Sequence, residues 1–353
     1  MDYTNTKTLL VAVDNMQKAP SFLRDRYFPT NPTTDIFNSE AVILEYRDGS
    51  KKAAPFVVEE KDGVSVTRNG YEIESFVPAN IAPKRPLSVA DLKKKGFGEA
   101  LFSNLSPAER ALALTVQDLE ELEKMITRRE EFMAASVLQN NKVTMSYYAD
   151  DLTVADTKEI KFYEGSTNPD IYTPSTLWDA SGADILGDIE AMGRTLRNNG
   201  CPATDVILGS AAADAFINNS AIQALLDNRN FNIGAVDPIL LDDEYAALLA
   251  RLNIKGHVYN FITYDAMYEE LDGTLTNFID AKACIMTTQG VGRTSYGAVT
   301  QLESDGEFHT YPGTRVPHIV ADEAHNSKNT ILTAKPLTIL NKKDSVISST
   351  VTA

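Results

Sequence analysis

The side chains that could do chemistry fall into a few short groups. Asp150 and Asp151 are adjacent, and Asp242, Asp243 and Glu244 form a triplet. Neighbouring carboxylates can divide general acid and base work when their surroundings push their pKa values apart. With 49 acidic residues in a chain of 353, such neighbours arise by chance, and a turn and a helix entry account for them. His257, His309, His318 and His325 have no metal-ligand spacing. Cys201 and Cys284 lie far apart without a CxxC partner, so they read as two buried thiols rather than as a zinc site or a disulfide. The glycines of QGVGRTSYG are wrongly spaced for a dinucleotide fingerprint, and GxxxxGK[ST], GxSxG and HExxH do not occur. The basic runs Lys84–Arg85, Lys93 to Lys95 and Arg128–Arg129 lack the interleaved aromatics of a nucleic-acid platform. The expectation is a protein that is not an enzyme, with no catalytic residue, no cofactor and no metal.

Composition narrows the class further. The net charge is -16, from 49 acidic against 33 basic residues, which raises the cost of approaching a polyanion and argues against sequence-specific DNA binding. The same sign would suit the wall of a container filled with nucleic acid. No apolar run approaches the length of a membrane span, and the start, MDYTNTKTLL, does not read as a signal peptide, so a soluble protein made in the cytoplasm is expected. The chain is 43% hydrophobic, enough for a sizeable core, and its length fits two domains or one domain with long extensions.

The elements that must position any site are legible along the chain. FLRDRYFPTNPTTDIF, within residues 1–40, is rich in aromatics but has no period of its own, so it must pack either on its own domain or on a neighbour. VILEY, APFVV, VSVTR and YEIESFV, separated by turns at Asp48–Gly49, Asp62–Gly63 and Asn69–Gly70, read as a β-ribbon with too little apolar area to stand alone. The proline-rich VPANIAPKRP reads as a connector. Ser106, Pro107 and Glu109 then start a helix that runs to about 140, with an apolar stripe through Leu112, Val116, Leu119, Leu122, Ile126, Met133 and Val137, flanked by Met125 and Phe132. Glu130 and Glu131 fall among the charges of its opposite face. A hairpin over 143–163 follows, then a helix over about 182–198 with Ser181 as cap and a stop at Gly200. Beyond it DVILGS reads as a buried strand, AAADAFINNSAIQALLDN and PILLDDEYAALLARL as helical, and HVYNFITY, ACIMTTQ, TSYGAVTQ, ILTAKPLTIL and DSVISSTV as strands.

This order of parts resembles the tailed-phage major capsid fold. FLRDRYF, APFVV, RNG, VPANIAPKR, TRREEFMAASVLQNNKVTM, GRTSYG and AKPLTIL, in that order over most of the chain, resemble the lambda-like phage capsid protein E family. The resemblance implies an α+β fold: an N-terminal arm over 1–40, an extended β-ribbon or E-loop over 41–85, a peripheral domain over 86–199 whose spine is the helix 107–140, an α/β axial domain over 200–300, and strands over 301–353 that return to the peripheral domain. It implies a major capsid protein that assembles with itself into pentamers and hexamers of an icosahedral shell around double-stranded DNA, without sequence-specific binding and without a membrane. The chain would be found in the virion, and in the host cytoplasm during assembly. Its other partners would be a scaffolding protein, a portal and a decoration protein. The expected contacts between subunits are Phe22, Leu23 and Phe28 in the arm, and Phe56, Val58, Tyr71, Ile73 and Phe76 in the ribbon. An encapsulin-like nanocompartment shell of the same fold and a carboxylate-using hydrolase are the alternatives.

Overall fold

The computed structural model describes residues 21–46, 72–93, 106–148, 154–162, 170–226, 234–235, 239–240, 245–303, 305–322 and 326–353. Four early elements precede the spine of the fold: α1 (Phe22–Tyr27), β1 (Val42–Tyr46), β2 (Glu72–Phe76) and β3 (Lys84–Ser88), followed by the short helix α2 (Val89–Lys93). The spine is α3 (Pro107–Asn140), 34 residues long, which at 1.5 Å per residue spans about 50 Å. Its start is a complete capping box, with the Ser106 hydroxyl accepting from the Glu109 N–H, the Glu109 carboxylate accepting from the Ser106 N–H, and proline at the first helical position. Its end is Asn141 in the left-handed region at φ 50°, with its N–H donating to the Val137 carbonyl.

The largest sheet has eight strands. It runs β6 (Asp170–Tyr172), β21 (Ile347–Thr350), β14 (Ala283–Thr287), β7 (Asp205–Leu208), β11 (His257–Tyr264), β10 (Ala246–Ile254) and β8 (Gly234–Ala235), with β9 (Ile239–Leu240) also paired to β10. Alternation along its strands feeds two cores. Ile207, Ile262, Tyr264, Ala283 and Ile285 face the core shared with α1 and the second half of α3. Val206, Leu208, Phe261, Cys284 and Met286 face the core shared with α4 (Ile185–Asn198) and α5 (Ser210–Asn218). A bulge in β10 between Leu248 and Ala250 reverses parity, so Ala246 faces the first core while Ala250, Leu252 and Ile254 face the second.

A third, smaller core packs Leu119, Leu122 and Ile126 of α3 against Leu332 and Ala334, under a sheet of order β18 (Val316–Asp322), β19 (Ser327–Thr333), β3. Five two-stranded pairings complete the described residues. These are β1 with β2, β4 (Lys142–Tyr148) with β5 (Val154–Lys161), β12 (Met267–Glu269) with β13 (Leu275–Asn277), β15 (Gly292–Tyr296) with β20 (Pro336–Leu340), and β16 (Val299–Leu302) with β17 (Phe308–Tyr311).

Several sequence expectations are corrected. PILLDDEYAALLARL is not helical where it is described. Its Ala/Leu run becomes β10, because pairing with β11 buries Ala246, Ala250, Leu252 and Ile254 and tertiary packing outweighs helix propensity. The connector carries strand β3, and Pro86 is tolerated there because β3 is a sheet edge. The cap of α4 is Asp184, whose carboxylate accepts from the Gly187 N–H, not Ser181. AAADAFINNSAIQALLDN breaks at Asn219, whose side chain accepts from Ala221 and Ile222 and starts α6 (Ser220–Leu226). TSYGAVTQ divides into β15 and β16 around Gly297, where a Cβ would lie 2.6 Å from the Glu40 carbonyl. On α3, Val116 of the expected stripe is exposed, as is Met125 beside it. The apolar stripe of α4 packs in the second core, and β21 lies between β6 and β14 in the large sheet, where Ile347 and Val351 are buried.

Candidate inter-subunit surfaces

The ionisable side chains inside the chain hold it together. Arg315 is buried where β18 approaches the middle of α3. Its Nε donates to Glu123 Oε2 at 2.5 Å, and its two terminal nitrogens donate to both oxygens of Glu130 at 2.6 and 2.8 Å. Glu130 also accepts from Arg24 at 2.6 Å and from the Tyr296 hydroxyl at 2.9 Å. Burial alone would raise Glu130, but Arg315 and Arg24 together hold its carboxyl below the usual carboxylate value. Burial, and then the Glu130 carboxylate, push the Tyr296 phenol up. Next to it, Glu131 accepts from the Ser21 hydroxyl, the Leu23 and Arg24 N–H groups and the Tyr264 hydroxyl, at 2.6 to 3.0 Å; burial nonetheless pushes this carboxyl up. Asp188 accepts from Tyr172 at 2.6 Å and Trp178 at 2.9 Å, and burial followed by that hydrogen bond pushes the Tyr172 phenol up to about 12. These acids are engaged by the donors around them.

No other chemistry assembles among the described residues. No group of three or more His, Cys, Asp and Glu side chains there could hold a metal ion. Cys201 and Cys284 are buried and not joined in a disulfide, and burial pushes the Cys284 thiol up, away from reactive thiolate. His309 pairs with exposed Asp305 at 2.8 Å and lies beside the Tyr311 ring. An open groove beside the end of α3 is lined by Phe132, Ser136, Tyr268 and Phe278, but the Ser136 hydroxyl donates to the Lys142 carbonyl rather than to a base. Asp150, Asp151, Asp242, Asp243, Glu244 and His325 lie outside the described residues.

The residues expected to meet a neighbour divide three ways. Phe22, Leu23 and Phe28 are 6%, 0% and 0% exposed and belong to the chain's own first core. Phe22 stacks on Tyr264 with centroids 5.6 Å apart, and the Phe28 ring occupies the space left by Gly292, where a Cβ would come within 2.3 Å of it. The reason they fold inward is the polar segment between them, since the main chain and Arg24 satisfy Glu130 and Glu131. Phe76 is half-buried and meets Phe162 edge-on at 5.4 Å, so it too faces inward. Ile73 is 56% exposed. Phe56, Val58 and Tyr71 lie outside the described residues.

Ile73 is not alone. In the β1–β2 pair, Val42, Leu44 and Phe76 turn to the core while Ile43, Ile73 and Val77 turn out, each at least 45% exposed. At the far end of the chain the β16–β17 hairpin sets Leu302 directly opposite Phe308, 49% and 75% exposed. The sequence signals for both were present: strict alternation in VILEY and YEIESFV, and the Asp305–Gly306 turn between QLES and GEFHT.

Comparison with known proteins agrees with this architecture. The sequence matches phage major capsid protein E over residues 5–351. In fold the chain is similar to the putative capsid protein of a prophage of E. coli CFT073, with a TM-score of 0.68 at 15% identity, covering 98% of this chain and 99% of that one. It is also similar to a phage-related protein from Bordetella bronchiseptica RB50, with a TM-score of 0.52 at 10% identity, covering 97% of this chain and 95% of that one. Comparison with curated protein sequences finds no match. The family match spans nearly the whole sequence, and this chain belongs to the phage major capsid protein E family, a structural protein of the phage shell.

Proposed function

We propose that the chain forms pentamers and hexamers of an icosahedral head that encloses double-stranded DNA, using the outer face of the β1–β2 ribbon and the β16–β17 hairpin to meet neighbouring copies. A scaffolding protein, a portal and a decoration protein are the further partners this reading implies. The observation that carries it is the pairing of buried and bare apolar faces on one ribbon. The inner face is sealed in the core, whereas Ile43, Ile73 and Val77 form a contiguous apolar strip on the outside. Two strands alone are too small a unit to hold such a face, so a second surface is needed. Phe56, Val58 and Tyr71 would continue the contact toward the ribbon tip. The net charge of -16 favours an inner wall that does not stick to its contents.

Expression of the full chain with its phage's head genes, followed by electron microscopy, tests the proposal. Closed shells containing DNA, with the ribbon seated on an adjacent copy, are the expected result. Shells loaded with protein instead of DNA would remove the genome-container reading, and monomers under all conditions would remove assembly. Ile73→Asp combined with Ile43→Asp is expected to leave the folded monomer intact, as exposed positions allow, while abolishing shells.

A further inference from the structure

Residues 21–28 lie between α3 and the large sheet and are bonded to both. On the helix side the bonds converge on Glu130 and Glu131. The Ser21 hydroxyl and the Leu23 and Arg24 N–H groups reach Glu131 at 2.6, 2.8 and 3.0 Å, and the Arg24 guanidinium reaches Glu130 at 2.6 Å. On the sheet side they converge on Asp205, the first residue of β7. Arg26 donates to its Oδ2 through Nε at 2.8 Å and Nη2 at 2.7 Å, and the Tyr27 hydroxyl approaches the same oxygen at 3.2 Å. Asn260 Nδ2, from the adjacent strand β11, donates to Oδ1 at 2.9 Å. The Arg26 carbonyl accepts from the Gly290 N–H at 3.0 Å.

The two sides differ in kind. The helix side is enclosed and partly made by main-chain donors, and those persist whatever side chains the segment carries. The side chain of Glu130 is 0% exposed. The sheet side gathers on the Asp205 carboxylate, which is reached by the buried Tyr27 hydroxyl and by an arginine whose side chain is 24% exposed, so water can replace the arginine's bonds as they open. Phe22 also stacks on Tyr264 of the sheet, and the Tyr264 hydroxyl donates to Glu131 at 2.7 Å.

We infer that residues 21–28 are a clasp between the spine helix and the large sheet, and that the Arg26–Asp205 pair is its release point. When the pair opens, the sheet turns against α3 while the segment stays fastened to Glu131. A shell subunit that must fit positions of different curvature would gain a hinge that needs no unfolding. That use rests on the capsid reading, whereas the clasp itself does not.

Amide hydrogen exchange at single-residue resolution, on the unassembled full chain, tests it. The Leu23 and Arg24 amides report the helix side and the Gly290 amide reports the sheet side. In Arg26→Gln, Gly290 is expected to exchange about tenfold faster while Leu23 and Arg24 stay within about twofold of the parent, with Arg26→Lys between the two. Asp205→Asn is expected to give the same pattern from the other partner. An unchanged Gly290 overturns the proposal, and so does equal acceleration of all three amides, which would mean that the segment leaves as one piece. Because the readout is on the subunit, a chain that failed to form shells would sink the assembly reading without touching this one.

Discussion

At the scale of single residues, the decisive feature is that charge is buried and satisfied. Arg315 holds two carboxylates of α3, and each of the three groups is almost wholly enclosed. Such a triad gives little net stability relative to an apolar replacement, yet losing one member is severe because the others remain buried and unpaired. Arg315→Ala is therefore expected to lower unfolding stability by about 3–5 kcal/mol in equilibrium urea denaturation, far beyond the loss of an exposed pair such as Lys142–Glu159. The pH dependence follows from Glu130. Its folded carboxyl lies below the ordinary value of 4.5, so the folded chain binds fewer protons there than the unfolded chain. Its contribution is complete above 4.5 and is lost as pH falls through the folded value. Urea titrations at successive acid pH values are expected to show a shallower loss of stability in Glu130→Gln than in the parent. An equally steep loss in both would show that other carboxylates govern acid unfolding.

Elements were legible in proportion to how local their causes are. The spine helix could be bounded from sequence because Ser106, Pro107 and Glu109 act within four residues and Asn140–Asn141 ends the pattern. Ser106→Ala removes the hydroxyl that accepts the Glu109 N–H, and an exposed cap of this kind is expected to cost about 1 kcal/mol, read as a small fall in the urea midpoint with unchanged slope. The β4–β5 hairpin was equally plain, since VTMSYY and TKEIKF alternate. The β10 strand was not. AALLARL has the composition of a helix, and only the register against β11, with its bulge at Leu249, makes it a strand whose two ends face different cores. The role of Glu130 and Glu131 was hidden for the same reason, because each partner except the Arg24 and Ser21 group lies more than 130 residues away. Even FLRDRYF, recognised as needing a surface, did not say which surface. That depended on the anchors Glu131 and Asp205, which become neighbours only after the sheet is formed.

At the scale of the whole molecule, the contrast lies between interior aromatics and one that is bare. Tyr27, Tyr259, Phe28, Phe162, Phe216 and Phe261 are each less than 2% exposed, while Phe308 is 75% exposed. One exposed phenylalanine needs no explanation, but here it faces Leu302 across the end of a hairpin where Asp305, Gly306 and Glu307 are exposed. Neither side chain packs into any of the chain's three cores. Replacing both, as Leu302→Ser with Phe308→Ser, should therefore leave folding within about 0.5 kcal/mol of the parent, because little buried area is lost. Association is different: an apolar pair at the centre of a contact can supply much of its strength, and every subunit of a closed symmetric shell loses that contact at once. The expected outcome is a subunit with unchanged urea midpoint that elutes as free subunits or capsomers and yields no closed particles in the electron microscope. Shells formed at the parent's yield by the doubly substituted chain would show that the hairpin tip lies clear of neighbouring copies, leaving the ribbon face to carry assembly.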